Sequence, residues 1–153
     1  MKISAINEGV SLIANIGVIG SIIFLGLEMQ QNTEMMQSRT RNSIVEHQLF
    51  QYGRVLDNTE IFDIRQKLNS NLDVTETERN QFHFYVLSQL RMWENEFYQY
   101  QMGLFDAEEF DARRIAWGRV MSFDASVERW KIAEETFDPD FRVYLNAIID
   151  EVS

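Results

Sequence analysis

Apolar side chains are concentrated in one stretch near the amino terminus, and elsewhere along the chain they recur at helical spacing. The concentrated stretch runs from Val10 to Leu27 and carries no charge, with only Ser11, Asn15 and Ser21 as polar interruptions. As a helix, these residues would span roughly 27 Å, close to the ~30 Å hydrocarbon core of a bilayer. We therefore predict one transmembrane anchor, residues 1–28, with membrane lipid as its first partner.

Two other interpretations of this stretch are a cleaved signal peptide and the buried helix of a soluble domain. A signal peptide has a shorter apolar core, a more basic start and a small-residue cleavage site. Here the start carries only Lys2, and the core ends in Leu25-Gly26-Leu27-Glu28. A buried helix stays open as an alternative, because the stretch lies at the lower end of the spanning range.

The anchor has two different faces when it is drawn as a helix. One face is suited to lipid and consists of Leu12, Ile16, Ile19, Ile23 and Leu27. The opposite face carries Ala14, Gly17, Ser21 and Glu28, in which Gly17 and Ser21 form a small-xxx-small pair that lets helix backbones approach closely. We predict a homo-oligomer interface on this face, with a lone anchor as the alternative.

Polar residues at the anchor suggest a second possibility. Asn15 lies mid-anchor, and Glu28 and Gln31 lie at its end. In a ring of copies these side chains would form a polar, cation-attracting pore mouth. The alternative is that Glu28 is an ordinary charge at the water interface.

The helical pattern continues far beyond the anchor. No glycine or proline occurs between Gly26 and Gly53, and a three-four spacing continues to Leu56. We predict a stalk helix over residues 29–57 with weak coiled-coil character. The full series of spaced positions is Ala14, Gly17, Ser21, Phe24, Glu28, Gln31, Met35, Ser38, Asn42, Val45, Leu49, Tyr52 and Leu56.

Start and stop signals divide the remainder, residues 58–153, into four helices. Thr75-x-x-Glu78 is a capping box that opens a helix ending near Gln101, and Gly103 supplies a left-handed cap. Further signals predict a short helix from Thr59, one after Asp106 and one after Asp138-Pro139, with a stretch from Val127 to Thr136 between the last two. We predict an all-α fold: an anchor that continues into a stalk helix, followed by a small helical bundle.

Charge and composition limit which partners, reactions and metal sites are expected of this chain. The net charge is −10, and residues 1–56 hold four acidic and four basic side chains, so the distal domain carries all of it. Such a domain is repelled by phosphates, which argues against nucleic-acid binding. The chain has no cysteine and two histidines, and it lacks a nucleotide loop, a nucleophile elbow, a zinc helix and the Glu-x-x-His of di-metal bundles. We expect no enzyme activity, no metal site and no cofactor.

A polar cluster lies in the middle of the longest distal helix. Glu94, Asn95 and Tyr98 lie within about one turn, and Glu94 and Tyr98 share a face. This face is a candidate site for a small ligand or a partner protein. The alternative, which we prefer, is a hydrogen-bond network that fixes helix packing.

Several motifs together resemble a group of uncharacterised bacterial single-pass membrane proteins. They are Gln31-Asn32-Thr33 after the anchor, Leu72-x-x-Thr75-x-x-Glu78, Glu94-Asn95-x-x-Tyr98-Gln99-Tyr100-x-x-Gly103, Arg129-Trp130 and Phe137-x-Pro139-x-Phe141. The resemblance implies a bacterial inner-membrane protein with an all-helical domain, and it implies no activity. Members often have a basic residue before Gln-Asn-Thr, where this chain has Met29 and Gln30.

The sequence also leads to expectations about the orientation of the chain in the membrane and about its function. Basic residues beside a membrane helix favour the cytoplasmic side. Lys2 precedes the anchor, whereas Arg39 and Arg41 follow it, and the resembling group favours a basic flank after the anchor. We expect the helical domain in the cytoplasm. The predicted function is a membrane-anchored, non-catalytic interaction or accessory protein that self-associates and can also bind a membrane-protein partner. The alternatives are a homo-oligomeric ion channel and a ligand-binding helical bundle.

Overall fold

The computed structural model describes the backbone of residues 2–153 and the side chains from Asn7 onward, so the side chain of Lys2 lies outside the described residues. All regular structure in this part of the chain is helical. The helices are α1 Lys2–Asp57, α2 Glu60–Asn69, α3 Glu76–Gln101, α4 Ala107–Met121, α5 Asp124–Ala133, a 3₁₀ turn Glu134–Thr136, and α6 Pro139–Val152. The predicted all-α class, with a long first helix followed by a bundle, is confirmed.

The chain forms two compact units, Met1–Ser38 and Arg39–Ser153. The first unit contains the apolar stretch, and its described side chains are all exposed. The apolar window of α1 has a mean hydropathy of 2.3 and is 0% buried. In the part of the chain that the structure describes, one helix is long and apolar enough to cross a membrane, and its apolar window is not packed within the first unit.

The second unit is a bundle in which α3 is the central helix, since it packs against α2, α4 and α5. The apolar side chains along one face of α3 are largely buried, including Phe82, Leu90 and Trp93. The core continues through stacked Trp93 and Trp117, whose ring centroids are 5.4 Å apart, and into Phe141 and Leu145 of α6. The large aromatic side chains supply most of the apolar surface removed from water here.

The last part of α1 belongs to this bundle. Ile44 is 3% exposed and lies in the bundle core, and Val55 packs against the same core. Residues 39–57, which the spacing predicted as the end of a stalk, are therefore docked along one side on the helical domain.

Local signals set most helix ends. Thr75 and Glu78 form the predicted reciprocal capping box at α3, and Gly103 adopts a left-handed φ of 70° after it. Asp106 and Asp138 accept hydrogen bonds from the first backbone N–H groups of α4 and α6. Asp106 thus caps α4, while the Glu109 carboxylate pairs with Arg41 of α1 at 2.7 Å.

Candidate functional site

The predicted oligomer interface lies on the first unit, where Ala14, Gly17, Ser21 and Glu28 are all exposed. A Cβ added at Gly17 would meet nothing within 4 Å, so the small side chain is not required by packing within the chain. The Ser21 hydroxyl donates to the Gly17 carbonyl at 2.8 Å. Ser21 therefore uses its donor inside its own helix and contributes mainly small size to any helix contact.

The polar positions around the anchor are exposed as well. Asn15, Glu28 and Gln31 have exposed side chains in the first unit. A pore lined by these residues stays a prediction. Close to Gln31, the polar residues pair along the helix: Gln30 donates to Glu34 at 3.0 Å, and the Thr33 hydroxyl donates to the Met29 carbonyl at 3.0 Å.

Within the predicted polar cluster, Glu94 is held by contacts with other elements of the bundle. Glu94 accepts from Arg91 at 2.8 Å and from the backbone N–H of Asp138 at 2.8 Å. Arg91 also donates to the Thr136 carbonyl at 3.0 Å and lies 3.9 Å from the ring centroid of Phe137. Glu94 and Arg91 thus join the middle of α3 to the segment that opens α6, which is a packing role.

The side chains of Asn95 and Tyr98 are less constrained by neighbouring elements than the side chain of Glu94. The Asn95 carbonyl oxygen accepts from Gln99 one turn along α3 at 3.5 Å, and Tyr98 is 55% exposed. Both side chains and Glu94 border one open groove of ≈ 440 Å³. Its lining consists of Arg91, Glu94, Asn95, Phe97, Tyr98, Gln101, Asp138 and Asp140.

The groove is acidic, because three carboxylates face one guanidinium in its lining. Among the side chains that the structure describes, no group of three or more His, Cys, Asp or Glu residues is placed to hold a metal ion. A positively charged organic group is the ligand class that best fits such a lining, with Tyr98 available for a cation–π contact.

Glu96 is a buried carboxylate that the sequence pattern did not single out as a site residue. It is 0% exposed, and it accepts from Gln48 at 3.1 Å, from Trp117 at 3.1 Å and from Arg113 at 3.0 and 3.2 Å. One carboxylate of α3 therefore binds α1 and α4 together. Its position three residues after Trp93 places it beside the buried stripe of the helix, but Glu94 lies beside the other edge of that stripe, so spacing alone does not choose between them.

A second groove of ≈ 360 Å³ lies where the end of α1 meets α2 and α3. Arg54, Asn58, Phe84 and Tyr85 are among the residues that line it. Burial raises the pKa of the Tyr85 phenol above its ordinary value.

Comparison of the chain with protein-family models, with curated proteins and with solved structures finds no match.

Proposed function

We propose that this protein is a membrane-anchored, non-catalytic helical interaction protein of the bacterial inner membrane, with its helical domain in the cytoplasm. The observation that carries the proposal is the apolar window of α1, which has a mean hydropathy of 2.3 and is 0% buried. An uncharged apolar stretch of helix that is uncovered within its own unit is stable in lipid and costly in water.

Self-association through the anchor is the second part of the proposal. Gly17 and Ser21 offer a flat, small-residue surface, and neither is needed for packing inside the first unit. In lipid, such surfaces gain van der Waals contact when two backbones approach. The absence of nucleotide, nucleophile and zinc motifs from the sequence supports an interaction role over catalysis.

Sizing of the purified full chain in mild detergent tests the assembly. We expect an oligomer that Gly17→Leu or Ser21→Leu converts to a monomer, because a large side chain separates the backbones. Ile19→Leu on the opposite face is the matched control and should leave the size unchanged. A strictly monomeric wild type, unaffected by Gly17→Leu, would refute self-association through the anchor.

A second candidate function is ligand binding in the groove beside Glu94, Asn95 and Tyr98, which the ≈ 440 Å³ opening favours. The acidic lining points to organic cations. Putrescine, compared with 1,4-butanediol as an uncharged control, should raise the unfolding temperature of the wild type, and Tyr98→Ala should reduce that effect. An equal response to both compounds would dismiss the groove as a cation site.

A further inference from the structure

An apolar stripe on the bundle part of α1 is left uncovered by the chain. Val45, Leu49, Tyr52 and Leu56 are 46%, 62%, 57% and 74% exposed, although they repeat at the four-three-four spacing of a packed helix face. We call these four residues the seam. Four large apolar side chains at such spacing form a contiguous patch of the kind that marks an interaction surface.

The seam lies to the side of the α1 face that docks on the bundle. At 100° of rotation per residue, its four positions centre roughly 100° around the helix from Ile44 and Val55, which face the bundle core. The bundle therefore covers one side of this part of α1 and leaves the seam open. Another helix can reach the seam without displacing Ile44 or breaking the bond from Gln48 to Glu96.

The seam is the end of a longer heptad series in the sequence. Every position from Ala14 to Leu56 alternates three and four residues apart, a mean period of 3.5, which is the repeat of a left-handed coiled coil. Asn42 occupies an a position, with Leu49 and Leu56 at the next two, and Val45 and Tyr52 are at d. Among the core positions after the anchor, Glu28, Gln31, Ser38 and Asn42 are polar, so the continuous apolar heptad core is confined to the seam.

Charges beside the heptad core identify the partner. In a parallel, in-register pair, each g residue faces the e residue five positions later in the other chain. Here those pairs are Glu34 with Arg39 and Arg41 with Glu46, and both are opposite in sign. Arg41 also pairs with Glu109 in its own bundle, so Glu34 and Arg39 provide the clearer test.

We propose that the seam binds the seam of a second copy of this chain, parallel and in register. This inference rests on the proposed function, because two anchors inserted in one membrane with the same orientation hold their copies parallel. The two bundles then lie on opposite sides of the paired helices, which separates bodies that repel one another through their negative charge. The partner is a second copy because the e and g charges of this sequence complement themselves.

Disulfide crosslinking of the full chain in liposomes tests the contact directly. The chain has no cysteine, so single-cysteine variants report one position each. Leu49→Cys should form a dimer on oxidation, since equivalent a positions of parallel helices face each other. His47→Cys, exposed on the far side of α1, is the matched control and should crosslink several-fold less. Both sites are exposed, so neither variant should disturb the fold.

Charge reversal tests the register. Glu34→Arg or Arg39→Glu alone should lower the crosslinking of Leu49→Cys, because each places like charges opposite one another at two symmetric sites. The combined swap should restore crosslinking. His47→Glu changes the charge on the far side and should have no effect.

Three results would overturn the inference. In the first, Leu49→Cys and His47→Cys crosslink equally, while Gly17→Leu still converts the protein to a monomer. That result would rule out the seam contact and leave the proposed self-association through the anchor in place. Crosslinking between Val45→Cys on one copy and Leu56→Cys on another would show an antiparallel pair. A wild type that is monomeric in detergent, with no crosslinking in liposomes, would remove both the seam contact and the proposed self-association.

Discussion

Glu96 is a carboxylate with no solvent exposure, and its stability in that position depends on its three partners. Gln48, Arg113 and Trp117 donate four hydrogen bonds to it, and the Arg113 side chain is itself only 17% exposed. A buried charge without a partner is strongly destabilising, whereas a fully bonded one fixes the packing of the elements that supply the bonds. At this position the bonds select how α1 and α4 pack on α3.

Replacing Glu96 should therefore destabilise the bundle. Glu96→Ala leaves the Arg113 guanidinium unpaired and opens space beside Trp117, so we expect a loss of about 3–5 kcal/mol in the free energy of unfolding. Glu96→Gln keeps the shape and should cost less. Urea unfolding followed by tryptophan fluorescence measures the change, with exposed Glu108→Gln as control. A Glu96→Ala protein as stable as wild type would show that the network contributes no stability.

At the scale of single helices, α3 begins at a capping box that also carries an ion pair. Glu78 accepts from the Thr75 backbone at 2.7 Å and pairs with Lys67 of α2 at 2.6 Å. The hydrogen bonds from Lys67 and then from Thr75 lower the pKa of Glu78 to about 2, and the same contact raises the pKa of Lys67. The start of α3 and the end of α2 are thus linked through one ionised carboxylate.

This linkage predicts a defined pH dependence. Because the folded pKa of Glu78 is below its ordinary value of 4.5, its stabilising effect is present above about pH 4.5 and is lost as the pH falls towards 2. Glu78→Gln should lower the unfolding temperature at pH 7, and the difference from wild type should shrink between pH 4.5 and 2. Circular dichroism measures it. Glu76→Gln in the same helical turn is the control, and a difference constant with pH would contradict the assignment.

The sequence predicted the helices better than it predicted their contacts. Capping signals are local, so Thr75, Glu78 and Gly103 identified α3 correctly. The partners of Glu96 come from residues 17 to 48 positions away, and no local pattern shows which of Glu94, Asn95 and Glu96 turns inward. For the same reason, the spacing that predicted a stalk helix over residues 29–57 did not show that Ile44 lies in the core of the bundle.

At the scale of the whole molecule, charge and hydropathy are divided along the chain. Residues 1–56 are neutral and contain the apolar stretch, while the net charge of −10 lies beyond them. Under the proposed function, acidic bundles repel each other and the anionic membrane surface, so assembly depends on contacts made by α1. The anchor and the seam would then act as one association element, and the bundle would stay available for other partners.

Alkaline extraction of membranes tests the anchor most directly. The wild-type full chain should stay in the membrane pellet after carbonate washing, because the stretch around Ile16, Ile19 and Ile23 lies in hydrocarbon. Replacing these three residues with Asn should move the protein to the supernatant. The same change at three exposed apolar residues of the bundle, Ile115, Ile132 and Val143, is the matched control and should leave it in the pellet. A wild type recovered from detergent-free buffer as a monodisperse soluble protein would contradict the membrane anchor on which the proposed function depends.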